Sequence, residues 1–397
     1  MTLFPGRELL KRRADTGLII AFLIFLCLPA ADSFLHLDPA PTPNENRRPA
    51  AFPPFAFTLN GAREFVAGIE NYFNDHFGFR HQLVRWEQRW KWKFFRDSRT
   101  SDVLVGKTGW LFYSDGRMVD DVSGTRPFSE AALAEWHTLL TGRRDWLRQR
   151  GIRYLFVVPP DKHSIYPEHL PDWLTARARP PRRLDQFMDY MRAQGDVPVL
   201  DLREALLEAK QQGDVYLHTD THWNDRGALA AYRRITRALA SLGVPATPPG
   251  AAAFRETVAD APGGDLARML GQEKYLAEKG RYMLAPQSSA PPIETRADLI
   301  AKQWIPATEP QLSVNPGANG KIVMFRDSFA TDLQKFFACG FNRAVYFWQQ
   351  NWDREFIEKE KPDIVIDEIT ERFLIFRDPV ELRKNDGHPE LQVFGDR

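Results

Sequence analysis

Apolar and polar positions change their period several times along the chain, and those changes mark out its elements. Gly17 to Ala31 is an unbroken apolar run with no polar face. A helical pattern follows from about residue 62 to 95, with Trp86, Trp90, Trp92, Phe94 and Phe95 interleaved with basic residues. Such a stripe reads as a packing face. Val103 to Tyr113 surrounds a glycine-centred turn and predicts a hairpin. Beyond it, short apolar runs at 153–159, 198–202, 321–325, 343–347 and 363–366 predict strands, as does the mixed stretch Tyr216–His222. Between them, 130–149, 182–194, 203–212, 225–242, the stretch from Ser328 and 354–360 predict helices. Continuous apolar runs suit strands buried on both faces. Their alternation with helices predicts an α/β fold, with a mostly parallel sheet between two helical layers. From about 245 to 318 the pattern dissolves into Pro, Gly and short polar segments, an insertion or small β-rich elaboration. No internal repeat is visible.

The first apolar run changes the picture of the N-terminus. Arg7, Lys11, Arg12 and Arg13 precede it, and no basic residue follows at once. That asymmetry predicts an N-terminus inside and the remainder exported. A poor small-residue cleavage site near Ala30 and Ala31, and no small residue before Cys27, favour an uncleaved signal anchor. The Pro-rich stretch after Leu37 reads as an extended linker. The chain thus divides into a tail and anchor (1–36), a linker (37–60), a main domain (61–378, with 245–318 as its elaboration) and a C-terminal tail (379–397).

Composition narrows the function classes. At 397 residues with 43% hydrophobic residues, the chain can bury a large core. A net charge of +1 argues against a nucleic-acid partner. Two isolated cysteines, Cys27 and Cys339, exclude a zinc-knuckle framework and make a structural disulfide improbable.

The densest chemistry lies in Leu217-His-Thr-Asp-Thr-His-Trp-Asn-Asp225. In an extended strand His218, Asp220 and His222 would share one face. They could be metal ligands, with Asp225 as a fourth, or the base and acid of a triad. A nucleophile is available at Phe325-Arg-Asp-Ser-Phe-Ala330, where Ser328 follows an apolar strand and opens a helix. The carboxyl end of a strand is where open α/β sheets gather their sites. Asp327 or Ser328 could equally cap that helix. Taken together, Ser328 with His222 and Asp220 supplies the partner that the metal reading lacks.

Asp-Thr-His-Trp at 220–223, followed by Asp-Ser-Phe at 327–329, resembles the alginate O-acetyltransferase J/X family, whose domain is a permuted SGNH hydrolase-like fold. Asn74–Arg80, Gly106–Tyr113, Pro159–Glu168, Gly264–Leu270 and Pro362–Arg372 agree with it in order, so the resemblance spans roughly residues 45–375. It implies Asp220, His222 and Ser328 as the triad and an exported, inner-membrane-anchored protein facing the periplasm. It also implies that acetyl groups come from a membrane-bound O-acyltransferase and pass to an exopolysaccharide such as alginate or cellulose, with no cofactor and no metal. With no carbohydrate-binding module evident at the C-terminus, the anchored J-like arrangement fits better than the longer X-like one. Arg326 departs from the glycine usual before Asp-Ser and could hold substrate charge. Lys162 and Tyr166, past the strand ending at Pro159, and Trp223 beside the base are candidate substrate contacts, set against turn and core-packing roles. His218 reads as structural. An acetylesterase with the same triad, or a non-catalytic assembly component, remain the alternatives.

Overall fold

The computed structural model describes residues 15–20, 22–24, 27–28, 31–32, 35, 50–54, 58–76, 78–79, 102–115, 117–244, 246–247, 249, 253–287, 290–299 and 309–387. It forms two units, residues 1–96 with 269–271, and residues 97–268 with 272–397. In the first, the described parts of the apolar run are helical, with Leu18, Ile19 and Phe22 exposed. Among the described residues no helix is long and apolar enough to cross a membrane. Parts of the expected anchor, most of the expected linker and the whole stripe Trp86–Phe95 lie outside the described residues. The helical pattern beyond the linker is seen as a helix over Leu59–His76.

The second unit is built on strands whose successive residues feed two cores. A hairpin of β1 (Val103–Val105) and β2 (Leu111–Tyr113) precedes the sheet. The sheet strands are β3 (Arg153–Val158), β4 (Val199–Asp201), β7 (Ile293–Thr295), β8 (Gln311–Val314), β9 (Lys321–Phe325), β10 (Arg343–Phe347) and β11 (Ile364–Glu368). β5 (Phe254–Ala261) and β6 (Glu278–Pro286) form a separate hairpin. Leu155, Val157, Ile322 and Met324 face one core with Ala228, Tyr232 and Phe336. Tyr154, Phe156, Val323 and Phe325 face the other with Trp136, Phe187 and Phe356. That alternation is the period-two geometry of a strand buried on both sides, and it is why these runs carry no polar positions.

The sheet order is β4-β3-β11-β9-β10-β8-β7. The first five strands are parallel; β8 runs antiparallel to β10, and β7 antiparallel to β8. The sheet is therefore mixed, and its antiparallel edge comes from the stretch read as an elaboration. The connections leaving β3 and β9 run to opposite sides of β11, which leaves a crevice at the carboxyl ends of these three strands.

Helix caps and one ion cluster hold the layers. Ser129 caps the helix Glu130–Arg148 by accepting from the Ala132 N–H, and Asn224 caps Asp225–Ser241 by accepting from Arg226 and Gly227. Arg143, fully buried, donates to Asp386 at 2.6 and 2.9 Å, to Asp367 at 2.8 Å and to the Gln350 carbonyl. Asp367 on β11 also accepts from the Tyr154 hydroxyl and the Trp352 indole, each at 2.7 Å. Beyond residue 378 the chain forms another helix, Pro379–Asn385, which brings Asp386 to Arg143.

Two local expectations fail. Tyr216–His222 is not a strand: a single antiparallel bridge joins Tyr216 to Trp223, and the residues between them turn back. Ser328 does not open an α-helix; a 3-10 turn, Phe329–Thr331, comes first, and the helix Gln334–Gly340 starts later.

Candidate active site

The turn between Tyr216 and Trp223 is made by its own side chains. Asp220 Oδ1 accepts the His222 backbone N–H at 3.0 Å, the two-residue reach by which an aspartate competes with regular structure. The same oxygen lies 2.7 Å from His222 Nδ1. Asp220 and His222 thus meet through a tight turn rather than by sharing a strand face. Glu278 on β6 closes the loop from below, accepting from the Thr219 N–H at 2.8 Å and from its hydroxyl at 2.5 Å. Gly264 packs so tightly that a Cβ there would stand 2.3 Å from the Asp220 Cβ. The two glycines at 263 and 264 serve close approach here.

Ser328 arrives from the other side, one loop beyond β9. Asp327 arranges that loop: its N–H donates to Glu368 at 2.8 Å, and its carboxylate accepts the N–H groups of Phe329 at 2.9 Å and Thr370 at 2.8 Å. The Ser328 side chain caps nothing. Its Oγ lies 2.8 Å from His222 Nε2. The Phe329 ring, 5.0 Å from the imidazole, packs behind it. Asp220, His222 and Ser328 therefore stand in one hydrogen-bonded line, each partly accessible.

Charge in the site follows from this line. Burial works against the Asp220 carboxylate, yet the hydrogen bond and charge of His222 outweigh it, helped by the N–H groups of Asp265 and His222, and hold it well below the usual carboxylate range. Burial likewise disfavours the imidazolium, but the bond to Asp220, its charge and that of Asp265 raise His222 above an ordinary histidine, with Arg372 opposing.

The remaining predicted contacts are placed differently from expectation. Trp223 is fully buried against Phe329 at 5.1 Å and Tyr166 is buried against Trp110, so neither presents a face to a sugar. The Tyr166 hydroxyl is turned inward, accepting the Val215 N–H at 2.9 Å. Lys162 is buried too; its ammonium donates to the carbonyls of Leu111 at 2.7 Å and His218 at 3.2 Å, bracing the loop, and burial lowers its pKa to about 8. Arg326 points away from the crevice, donating to the Asp327 carbonyl, Thr331 and Gln311, over the Trp348 ring. It clamps the loop that carries Ser328, where a glycine would leave that loop free. His218 bonds Asp214 at 2.9 Å and packs on Trp110.

Two residues that the sequence reading did not single out stand in the site. Asp265 accepts from Thr221 and lies 3.7 Å from His222 Nδ1. Arg372, past β11, pairs with Asp161 and lies over the Phe329 ring at 5.2 Å. Both belong to stretches quoted above, but single residues 40 or more positions from the base carry no local signal of proximity.

Among the described residues, Asp220–His222–Asp265 and the buried Asp121–His163–Glu371 each bring three ligand atoms within 4.8 Å of one another. In the first, the 2.7 Å contact from Asp220 to Nδ1 is a direct hydrogen bond with no space for an ion between, and Nε2 faces Ser328. In the second, Asp121 already takes the Arg183 N–H and Glu371 takes Ser164 and the Asp161 N–H.

Comparison with known proteins bears on the family and the fold. Residues 103–307, more than half of the chain, match the family described as SGNH hydrolase-like domain, acetyltransferase AlgX. A probable alginate O-acetylase AlgJ of Pseudomonas syringae pv. tomato is 31% identical over 182 residues, 46% of this chain and 44% of that protein, so the chain covers less than half of that relative's length. The Azotobacter vinelandii protein of the same name is 23% identical over 327 residues, 80% of each. Among solved structures, a DHHW family protein from Eubacterium siraeum superposes with a TM-score of 0.51 at 13% identity, covering 72% of this chain and 98% of that one, a likeness of fold.

Proposed function

This chain belongs to the SGNH hydrolase-like domain family of the acetyltransferase AlgX, and from that premise we propose that it is an O-acetyltransferase acting on hydroxyls of an exopolysaccharide. The observation that carries the reading is the unbroken line from Asp220 through His222 to the Ser328 Oγ, at 2.7 and 2.8 Å. The names of the AlgJ relatives, probable alginate O-acetylases, support the acceptor class.

The chemistry follows from that line. His222 donates its Nδ1–H to Asp220, which leaves Nε2 to accept the Ser328 hydroxyl proton. Ser328 Oγ then attacks the carbonyl carbon of an acetyl ester. The resulting oxyanion needs donors, and among the described residues no group accepts the Ser328 N–H. As the tetrahedral species collapses, the Nε2 proton passes to the leaving oxygen and Ser328 keeps the acetyl group. A sugar hydroxyl next gives its proton to Nε2 and attacks the acetyl carbon. Return of the proton to Oγ releases the acetylated sugar. The N-terminal pattern supports a periplasmic site anchored to the inner membrane; a membrane-bound O-acyltransferase as acetyl donor is what the family resemblance implies.

The test is incubation with an activated acetyl ester and an oligosaccharide. The expected products are acetyl-Ser328 by mass spectrometry and acetylated sugar, both absent in Ser328→Ala. Release of acetate with no acetylated sugar under any acceptor would replace this reading with an acetylesterase. Unchanged polymer acetylation in cells carrying Ser328→Ala would make the protein a non-catalytic component.

A further inference from the structure

We propose that Asp265 is a second carboxylate of the base, a positioning residue that locks the Asp220–Thr221–His222 turn and sets the charge state of the imidazole. This rests on the reading of His222 as the base of Ser328.

Every polar atom of Asp265 is turned toward that turn or toward its own chain. Its backbone N–H donates to Asp220 Oδ2 at 2.9 Å. Its Oδ1 accepts the Thr221 N–H at 2.7 Å and the Leu266 N–H at 2.7 Å. Its Oδ2 accepts the Thr221 hydroxyl at 2.7 Å and lies 3.7 Å from His222 Nδ1. The residue between acid and base is thus gripped at two atoms, and the acid at a third. Asp220 has its second oxygen occupied by Asp265 and keeps the first for His222 Nδ1 at 2.7 Å, beside which the Thr221 hydroxyl oxygen lies at 3.3 Å. Glu278 and Gly264 pin the neighbouring Thr219 in the same manner, at 2.8 and 2.9 Å. A loop crossing the sequence gap between 220 and 265 therefore builds half of the base.

The distance of 3.7 Å is too long for a hydrogen bond and well within electrostatic reach. Burial and the Asp220 charge raise the Asp265 carboxyl, and the His222 charge opposes them; when Nε2 takes the serine proton, the imidazolium faces this second acid and favours its ionised form. The other charged groups around the imidazole are Arg372 from the loop after β11, which opposes protonation, and Asp332 beyond the serine. Lys162 after β3 faces Asp220, Asp265 and Glu278.

Asp265→Asn keeps the shape and removes the charge: its amide oxygen can still accept the Thr221 N–H, while its amide nitrogen donates to the Thr221 hydroxyl oxygen instead of accepting from it; Asp265→Ala removes both the charge and these contacts. An opposite charge within 4–6 Å moves a titration by about one unit or more. In Asp265→Asn the acid limb of the kcat/KM–pH profile is expected to move down by about one pH unit, with a folded, near-normal thermal transition. Asp265→Ala is expected to lose a further tenfold or more in kcat. Ser328→Ala is run alongside. If it is inactive while Asp265→Asn keeps the wild-type acid limb, this inference fails and the reading of the site stands. If Ser328→Ala keeps full turnover, both fail. A lowered thermal transition with an unmoved limb is a purely structural role and also overturns the proposal.

Discussion

Gly264→Ala is a one-methyl test of how the acid is held. The added Cβ would stand 2.3 Å from the Asp220 Cβ, 2.5 Å from its Oδ2 and 2.8 Å from its Cα, where ordinary contact begins at 3.4 Å. The Asp220 Cα and Cβ cannot yield without moving the turn itself, and its Oδ2 is held by the Asp265 N–H at 2.9 Å. Gly264 has no positive φ, so the backbone itself tolerates alanine. Either the 263–265 segment or the Asp220 turn must then move by about 1 Å, the shortfall to van der Waals contact. A shift of that size breaks the 2.7 Å bond from Asp220 to His222 or the 2.9 Å bond from Asp265 to Asp220. Misplacement by 1 Å costs on the order of 10²-fold in rate. Overpacking of this kind destabilises by about 1–3 kcal/mol, against a total of roughly 5–15 kcal/mol. The expected variant is folded and slow. The assay is kcat/KM for an acetyl ester beside a thermal melt. Wild-type kcat/KM with an unchanged melt would refute the argument that Gly264 is required by the closeness of Asp220.

Other consequences follow from the charges. Because Asp220 and Asp265 raise His222, the neutral base is lost on acidification at a pH above the ordinary histidine value, and activity is expected to rise with pH through that limb. Asp220→Asn is expected to move the limb down and to reduce turnover on the order of 10⁴-fold; a pH–rate profile of both proteins checks the sign. Arg143→Met would leave Asp367 buried without its cation and Asp386 with only the half-exposed Arg354 at 3.9 Å. Loss of one partner of such a cluster costs about 3–5 kcal/mol, read as a lowered urea midpoint, and a change under about 1 kcal/mol would contradict it.

The reading of the chain succeeded where local physics is decisive. Strand runs such as 321–325 and 343–347 are apolar at every interior position because both faces are covered, so their burial is written in one short stretch each. The hairpin at 103–113 and the helices at 130–148 and 225–241 are equally legible, through their turn and their period. The pairing of Asp220 with His222 was also visible, although for the wrong reason. The pattern predicts a strand, whereas an aspartate turn brings the two together.

The amino-acid order by itself determined the layered α/β class and the local motifs that carry Asp220, His222 and Ser328. It did so because period, turn residues and dense polar motifs are properties of neighbours in the chain. Only the tertiary structure decided that Ser328 lies 2.8 Å from His222 across 106 residues, that Lys162, Tyr166 and Trp223 are buried, and that Asp265 and Arg372 stand beside the base. Those outcomes depend on which strand lies beside which and on loops crossing the carboxyl edge of the sheet. Proximity across such distances leaves no trace in the local pattern, since any polar residue on a loop would read the same.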